Sequence, residues 1–213
     1  MTFVPRILVV DDEKRIRSGC VQMLTEEGFP ARSAESAEEG LALLAQEHYD
    51  IILLDLMMPG VSGLEALVRI RALHPDTLVI VITGYATLEY SIEAMKKGAF
   101  DFIPKPFAPE DLRRVVHKAV EFIRTLQDIA TETSRMRVLI NHLSDGVLAV
   151  DHQKKIVLAN PAALKLTGCE GPAVIGRHLS EVVSDPILIG GLEQALGMPA
   201  DEIASHRQAH NRI

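Results

Sequence analysis

The chain is poor in cysteine, in basic excess and in long apolar runs, and each shortage removes a class of protein. Its two cysteines, Cys20 and Cys169, lie far apart with no CxxC partner, so they read as small buried residues rather than a disulfide or metal site. So few thiols suit a reducing cytoplasm. Lysine and arginine number 22 against 29 aspartates and glutamates, a formal net charge of −7, and a nucleic-acid-binding face would normally be basic. The N-terminus lacks the basic start and long apolar core of a signal peptide. No apolar run approaches the ~20 residues that span a bilayer, so no membrane span is expected and the chain reads as cytoplasmic. No internal repeat, helix-turn-helix pattern or nucleotide-binding glycine-rich loop is found. Hydrophobic residues still make up 47%, enough for a packed core in one large domain or two small ones.

In the first half, short runs rich in β-branched residues alternate with amphipathic stretches. The runs are Ile7–Val10, Ile51–Leu54, Leu78–Ile82 and Phe100–Ile103, with a short polar one at Pro30–Ala34 that suits an edge. Between them lie apolar stripes at helical spacing: Ile16, Cys20, Met23 and Leu24; Leu41, Leu44 and Ala45; Leu64, Leu67 and Val68; Leu88, Ile92 and Met95. Ser36-Ala-Glu-Glu39 and Ser62-Gly-Leu-Glu65 match capping boxes, Pro59-Gly60 marks a turn, and Gly28 and Gly98 sit where helices should stop. Continuous apolar strands imply a parallel sheet covered on both faces. Five β-α units of this kind give a doubly wound α/β fold.

The fifth helix, opening near Pro109, has no obvious end. Leu112, Val116, Ala119, Ile123, Leu126, Ala130 and Thr133 recur in steps of four and three, and no proline or glycine occurs from Glu110 to Asp145. This reads as a helical, coiled-coil connector over 109–142 that continues the last helix of a first domain over 1–122. The alternative is one helix packed on its own domain and then a polar linker, since Thr133 and the Arg135–Arg137 stretch weaken the seam. Composition shifts near Leu143. Val147–Val150 and Ile156–Ala159 read as strands around a polar turn, Asn160-Pro161 opens a helix closed at Gly168, and Ile187–Leu196 reads as a further helix.

Five polar positions stand at strand ends. Asp11-Asp12 follows the first strand, Asp55 ends the third, Thr83 the fourth, and Lys105 follows the fifth. In an open α/β sheet, ligands bind outside the carboxyl ends of the strands, so residues nearly a hundred positions apart converge on one crevice. Three crowded carboxylates suit a hard cation such as Mg²⁺. A rigidly held carboxylate can attack phosphorus and form an acyl phosphate. The added charge calls for a cation, the role expected of Lys105, and Thr83 can donate to a phosphoryl oxygen. Glu13 reads as an ordinary helix-start acid. His117 reads as an exposed polar residue, and the pair His206 and His210 lacks a third ligand.

The stretches Ile7-Leu-Val-Val-Asp-Asp-Glu13, Asp50-Ile-Ile-Leu-Leu-Asp-Leu-Met-Met-Pro-Gly60, Val79-Ile-Val-Ile-Thr-Gly84 and Asp101-Phe-Ile-Pro-Lys-Pro-Phe107 resemble the signature blocks of bacterial response-regulator receiver domains. The resemblance implies a flavodoxin-like strand order 2-1-3-4-5, which the family itself exemplifies. It implies that Asp55 accepts a phosphoryl group from a phosphohistidine on a cognate histidine kinase or phosphotransfer protein. Asp11, Asp12, Asp55 and the Met57 carbonyl would hold Mg²⁺, and Thr83 and Lys105 would grip the phosphoryl group. Phe102 would be the switch aromatic, altering the face of the fourth and fifth helices, through which, with the connector, a homodimer would form. The Lys105–Pro106 bond would be cis. Bulky Met57 and Tyr85, each two residues past a site residue, imply slow loss of phosphate.

Leu143-Ser-Asp-Gly-Val-Leu-Ala-Val-Asp151, Lys155-Ile-Val-Leu-Ala-Asn-Pro-Ala-Ala-Leu164, Leu166-Thr-Gly168 and Val174-Ile-Gly176 resemble the start of a PAS sensor domain. The segment 143–213 would be a partial, α+β PAS unit, because no later strand triplet is legible. The expected whole is a two-component signalling protein, not itself an enzyme, with a histidine kinase core as the expected downstream module. An aspartyl-phosphate phosphatase would need a second carboxylate where Met57 stands. The alternative role is an unphosphorylated receiver serving as a dimerisation scaffold.

Overall fold

The computed structural model describes residues 3–84, 88–168 and 174–183. The chain divides into two compact units, Met1–Asp128 and Ile129–Ile213.

In the first unit, β1 (Ile7–Val10), β2 (Ala31–Ala34), β3 (Ile51–Asp55), β4 (Leu78–Thr83) and β5 (Asp101–Pro104) form a parallel sheet in the order β2-β1-β3-β4-β5. The helices α1 (Lys14–Glu26), α2 (Ala37–Leu44), α3 (Gly63–Leu73), α4 (Leu88–Lys96) and α5 (Pro109–His142) follow the strands in turn. The period-two alternation of the strands sorts the core into two layers. Leu8, Val10, Ile52, Leu54, Val79 and Val81 face Leu44, Leu67, Ile70 and Ala94 of α2, α3 and α4. Ile7, Val9, Ile51, Leu53, Ile80 and Ile82 face Cys20 and Leu24 of α1 and Leu112 and Val116 of α5. Each such fully buried aliphatic side chain contributes about 1.5–3 kcal/mol. The strand expectations hold to within a residue at their ends, and Cys20 is buried as expected.

Ser36 accepts from the Glu39 N–H and Ser62 from the Glu65 N–H, both at 3.2 Å, so both capping sites form. In α2 the reciprocal bond is displaced by one residue: Glu39 Oε2 accepts from the Glu35 N–H at 2.7 Å. Gly28 and Gly98 take left-handed φ values of 85° and 94° at the ends of α1 and α4.

Two stripes need correction. In α4, Ile92 and Met95 are exposed, and Ser91 and Ala94 face the core instead. Small residues let this helix approach the sheet closely and leave its larger side chains outside. In α5, Leu112, Val116 and Ala119 are used up in the core, as are Val115 and Val120. The apolar row left outside is Phe122, Leu126, Ile129, Met136 and Leu143, with Thr133 and the half-buried Ile140 in the same four-three rhythm.

In the second unit, β6 (Leu148–Val150) and β7 (Ile156–Ala159) form an antiparallel hairpin. Asp151 Oδ1 accepts from the N–H groups of Gln153 and Lys155 and shapes its turn. Helix α6 (Pro161–Thr167) has Pro161 in its first turn and Gly168 as its left-handed cap. Buried Asn160 is fully satisfied. Its Oδ1 accepts from Val147 and Ala163, and its Nδ2 donates to the carbonyls of Ile140 and Asp145. One amide thus joins the end of α5, the hairpin and α6. A short helix, α7 (Leu179–Val182), packs on Ile156 and Val174. The expected helix Ile187–Leu196, and Cys169, His206 and His210, lie outside the described residues.

Gly63 begins α3 against the third strand, and a Cβ there would stand 1.9 Å from the Asp55 carbonyl oxygen. That atom is backbone and cannot swing aside. Gly63→Ala is expected to lower stability by about 3 kcal/mol, read as a lower urea midpoint at unchanged slope.

Candidate functional site

Strand register builds the site. Val10 pairs with Leu54, so Asp11, one step on, falls beside Asp55. Asp55 pairs with Ile82, and Thr83 pairs with Pro104, which puts Lys105 just past the end of β5. The Lys105 N–H donates to the Thr83 carbonyl at 2.8 Å and continues the ladder. Asp11, Asp55 and Thr83 are buried and Asp12 is exposed. The Lys105–Pro106 peptide is cis, as expected.

The Lys105 ammonium is the centre of the cluster. It donates to Asp55 Oδ2 at 2.7 Å and to Glu13 Oε1 at 3.1 Å, and it lies 2.8 Å from Asp11 Oδ2. Burial acts to lower its pKa, but the carboxylates of Asp11 and Asp55 outweigh burial and hold it above its ordinary value. It remains charged. Burial pushes Asp11 up, against the pull of Lys105 and of the Glu13 N–H, which donates to Asp11 Oδ1 at 2.9 Å. The Met57 N–H donates to Asp55 Oδ1 at 3.0 Å, so each buried acid has one oxygen fixed by backbone two residues on.

A carboxylate oxygen from each of Asp11, Asp12 and Asp55 lies within 4.8 Å of the others. Asp11 Oδ2 is buried without a well-formed hydrogen bond and keeps only its ion pair to Lys105. An oxygen-only donor set with one orphaned carboxylate oxygen fits a hard divalent cation such as Mg²⁺.

The response regulator receiver domain family matches residues 7–117, just over half of the chain. This chain belongs to that family. A PAS fold matches residues 134–196. Regulatory protein AtoC of Escherichia coli is 32% identical over 86% of this chain and 37% of its own length. The nitrogen assimilation regulatory protein NtrX of Azorhizobium caulinodans is 37% identical over 58% of this chain and 28% of its own. The chain therefore spans about a third of the length of these relatives. Among solved structures, a CheY-like receiver domain protein from Methanospirillum hungatei is 34% identical, with a TM-score of 0.56 over 58% of this chain and 98% of that one. NtrX from Brucella abortus is 29% identical, with a TM-score of 0.61 over 71% of this chain and 32% of that one.

The receiver fold thus gathers Asp11, Asp12, Asp55, Thr83 and Lys105 at one sheet edge. Met57 has its side chain about half exposed beside them, and Phe102 lies on β5 with its ring turned partly to solvent. Tyr85 lies outside the described residues. Glu13 is more than a helix-start acid, because it is the third carboxylate on Lys105. Nothing in the sequence separated it from the acids that open other helices. Arg17 is a second addition: its Nη1 donates to the Asp11 and Asp12 carbonyls at 2.7 and 2.8 Å.

Burial opposes ionisation of Asp11, so a carboxylate charge there costs stability while the site holds no cation. Asp11→Asn keeps an Oδ1 acceptor for the Glu13 N–H and removes that charge. In EDTA it is expected to melt about 2–4 °C above the wild-type chain, and Mg²⁺ should raise the melting temperature of the wild type only.

Proposed function

We propose that this chain is the receiver and sensor portion of a response regulator in which Asp55 accepts a phosphoryl group in a Mg²⁺-dependent reaction. The observation that carries the reading is the shared Lys105 ammonium, buried between Asp55 and Asp11 at the carboxyl edge of the sheet. An Asp55 carboxylate oxygen forms the new bond to phosphorus while the phosphorus–nitrogen bond of a phosphohistidine breaks, and the imidazole leaves with its electron pair and takes up a proton. The Met57 N–H orients the carboxylate for this attack. Lys105 balances the charge that arrives, and the Thr83 hydroxyl donates to a phosphoryl oxygen. Asp11, Asp12, Asp55 and the Met57 carbonyl would hold the Mg²⁺, which when bound neutralises phosphoryl oxygens. Phe102 follows Thr83 inward. The bulky residue types at positions 57 and 85 would slow the loss of the group.

The phosphodonor is a histidine kinase or phosphotransfer protein, and the chain is a cytoplasmic phosphoacceptor rather than an enzyme. For the downstream module, the relatives replace the expected histidine kinase core. NtrC of Salmonella typhimurium is a DNA-binding transcriptional regulator, and NtrX from Brucella abortus has been solved with ATP. A transcription-regulating module is therefore the better reading. The exposed row Phe122, Leu126, Ile129 and Met136 on α5 supports a homodimer through the connector.

Incubation with Mg²⁺ and acetyl phosphate, followed by intact mass, should show one added phosphoryl group. The group should be absent in Asp55→Ala and in EDTA. Modification of the Asp55→Ala chain would refute the assignment. For the connector, Leu126→Glu with Ile129→Glu should turn a dimer into a monomer in sedimentation while the receiver still takes phosphate. A wild-type monomer, phosphorylated or not, would remove the dimer reading.

A further inference from the structure

The acidic turn after β1 is held from behind by a cation that the phosphoacceptor chemistry does not use. Arg17 lies in the first turns of α1, its own N–H donating to the Glu13 carbonyl at 3.1 Å. Its side chain is only 13% exposed and folds back over the helix start. There one nitrogen, Nη1, donates to both the Asp11 and the Asp12 carbonyl oxygens. The other, Nη2, lies 3.6 Å from Glu35 Oε2. Glu35 sits just after β2, where its N–H is taken by Glu39. The guanidinium therefore ties the end of β1, the start of α1 and the loop after β2 into one unit.

These bonds decide which oxygens of the turn remain for a metal. With both carbonyls committed to Arg17, the peptide planes of Asp11 and Asp12 cannot rotate without breaking two charge-assisted hydrogen bonds. Asp11 Oδ1 is committed to the Glu13 N–H. What remains is Asp11 Oδ2, buried and held only by its ion pair to Lys105, and the exposed carboxylate of Asp12. We propose that Arg17 is a positioning residue for the divalent cation: it acts through the two carbonyls and sets the carboxylates of Asp11 and Asp12 against Asp55. The inference rests on the Mg²⁺-dependent reading of the site.

Geometry and charge make opposite forecasts, which is what makes the proposal testable. A bare positive charge near the site repels Mg²⁺, so a purely electrostatic Arg17 would weaken the metal, and its removal would tighten binding. A clamp does the reverse. The test is calorimetric titration of Mg²⁺ into the unphosphorylated full chain, with Arg17→Gln, Arg17→Lys and, as a surface control, Arg32→Gln. Removing an outer-shell partner of a metal ligand costs at least about tenfold in affinity, so Arg17→Gln should raise the Mg²⁺ dissociation constant about tenfold. Arg17→Lys keeps the charge but not the planar fork, and it should raise the constant about threefold. Arg32→Gln should match the wild type. The Mg²⁺ concentration for half-maximal phosphorylation by acetyl phosphate should shift in parallel, while the rate at saturating Mg²⁺ stays within about twofold.

Unchanged or tighter Mg²⁺ binding in Arg17→Gln overturns the proposal, as does a fall in the saturated rate with half-saturation unmoved. Should Arg17→Gln not fold, Arg17→Lys carries the same comparison, and binding equal to the wild type then overturns it. A wild-type chain that binds Mg²⁺ but takes no phosphoryl group would sink the phosphoacceptor reading and leave the Arg17 result standing. A wild-type chain that binds no Mg²⁺ would sink the proposal.

Discussion

The ammonium of Lys105 holds together a cluster that electrostatics would otherwise drive apart. Parallel strands bring Asp11, Asp55 and their neighbours to one edge because the hydrophobic register demands it, whatever charge they carry. Two buried carboxylates side by side are costly, and a third from Glu13 adds to the repulsion. A single lysine, arriving from the far end of the sheet order, meets all three. It balances part of the charge and leaves the cluster net negative. That residue of negative charge suits a cation and, in the proposed reaction, the anionic phosphoryl group that a bound cation would help to neutralise.

The surroundings are built to hold that unfavourable arrangement still. Gly63 lets α3 start against the Asp55 carbonyl, and the Met57 N–H fixes one oxygen of the same residue. Glu38, at the start of α2, accepts from the Val61 N–H at 3.0 Å and braces the loop between β3 and α3. That bond is the main reason its carboxyl lies below the ordinary range. Arg17 braces the other side through carbonyls. These contacts act on backbone, so they fix where the carboxylates point without neutralising them. The negative charge that a cation would meet is therefore kept.

The fold was largely legible because its signals are local or periodic. Continuous β-branched runs, the serine caps at Ser36 and Ser62, and the glycines at helix ends each have one cheap structural solution, and the chain takes it. The five polar positions at strand ends were legible for the same reason, since strand ends in an open parallel sheet share an edge. What escaped were contacts whose cause lies in tertiary distance. Glu13 and Arg17 sit on polar turns of an amphipathic helix, and their partners depend on how α1 is angled over the strand ends. The outward turn of Ile92 and Met95 reflects a choice between two faces of α4, decided by the small residues Ser91 and Ala94. Apolar spacing alone cannot make that choice.

The α5 row shows how one periodic signal can serve two ends. A heptad pattern from Leu112 onwards does not say where core packing stops and an external seam begins. The structure answers with burial: Val120 is inside, and Phe122, Leu126 and Ile129 are outside. After Pro109 the helix continues without proline or glycine to His142, 34 residues in all. In the proposed signalling role this continuity matters more than any single contact. The first turns of α5 are packed among Ile7, Val9 and Ile103, in the same layer as the strands whose ends carry the acidic cluster. The Thr125 and Thr133 hydroxyls donate back to the Glu121 and Ile129 carbonyls, contacts that curve a helix without breaking it. In the proposed role, movement at the buried end would reach the exposed residues Phe122 and Leu126, where a second copy would register it.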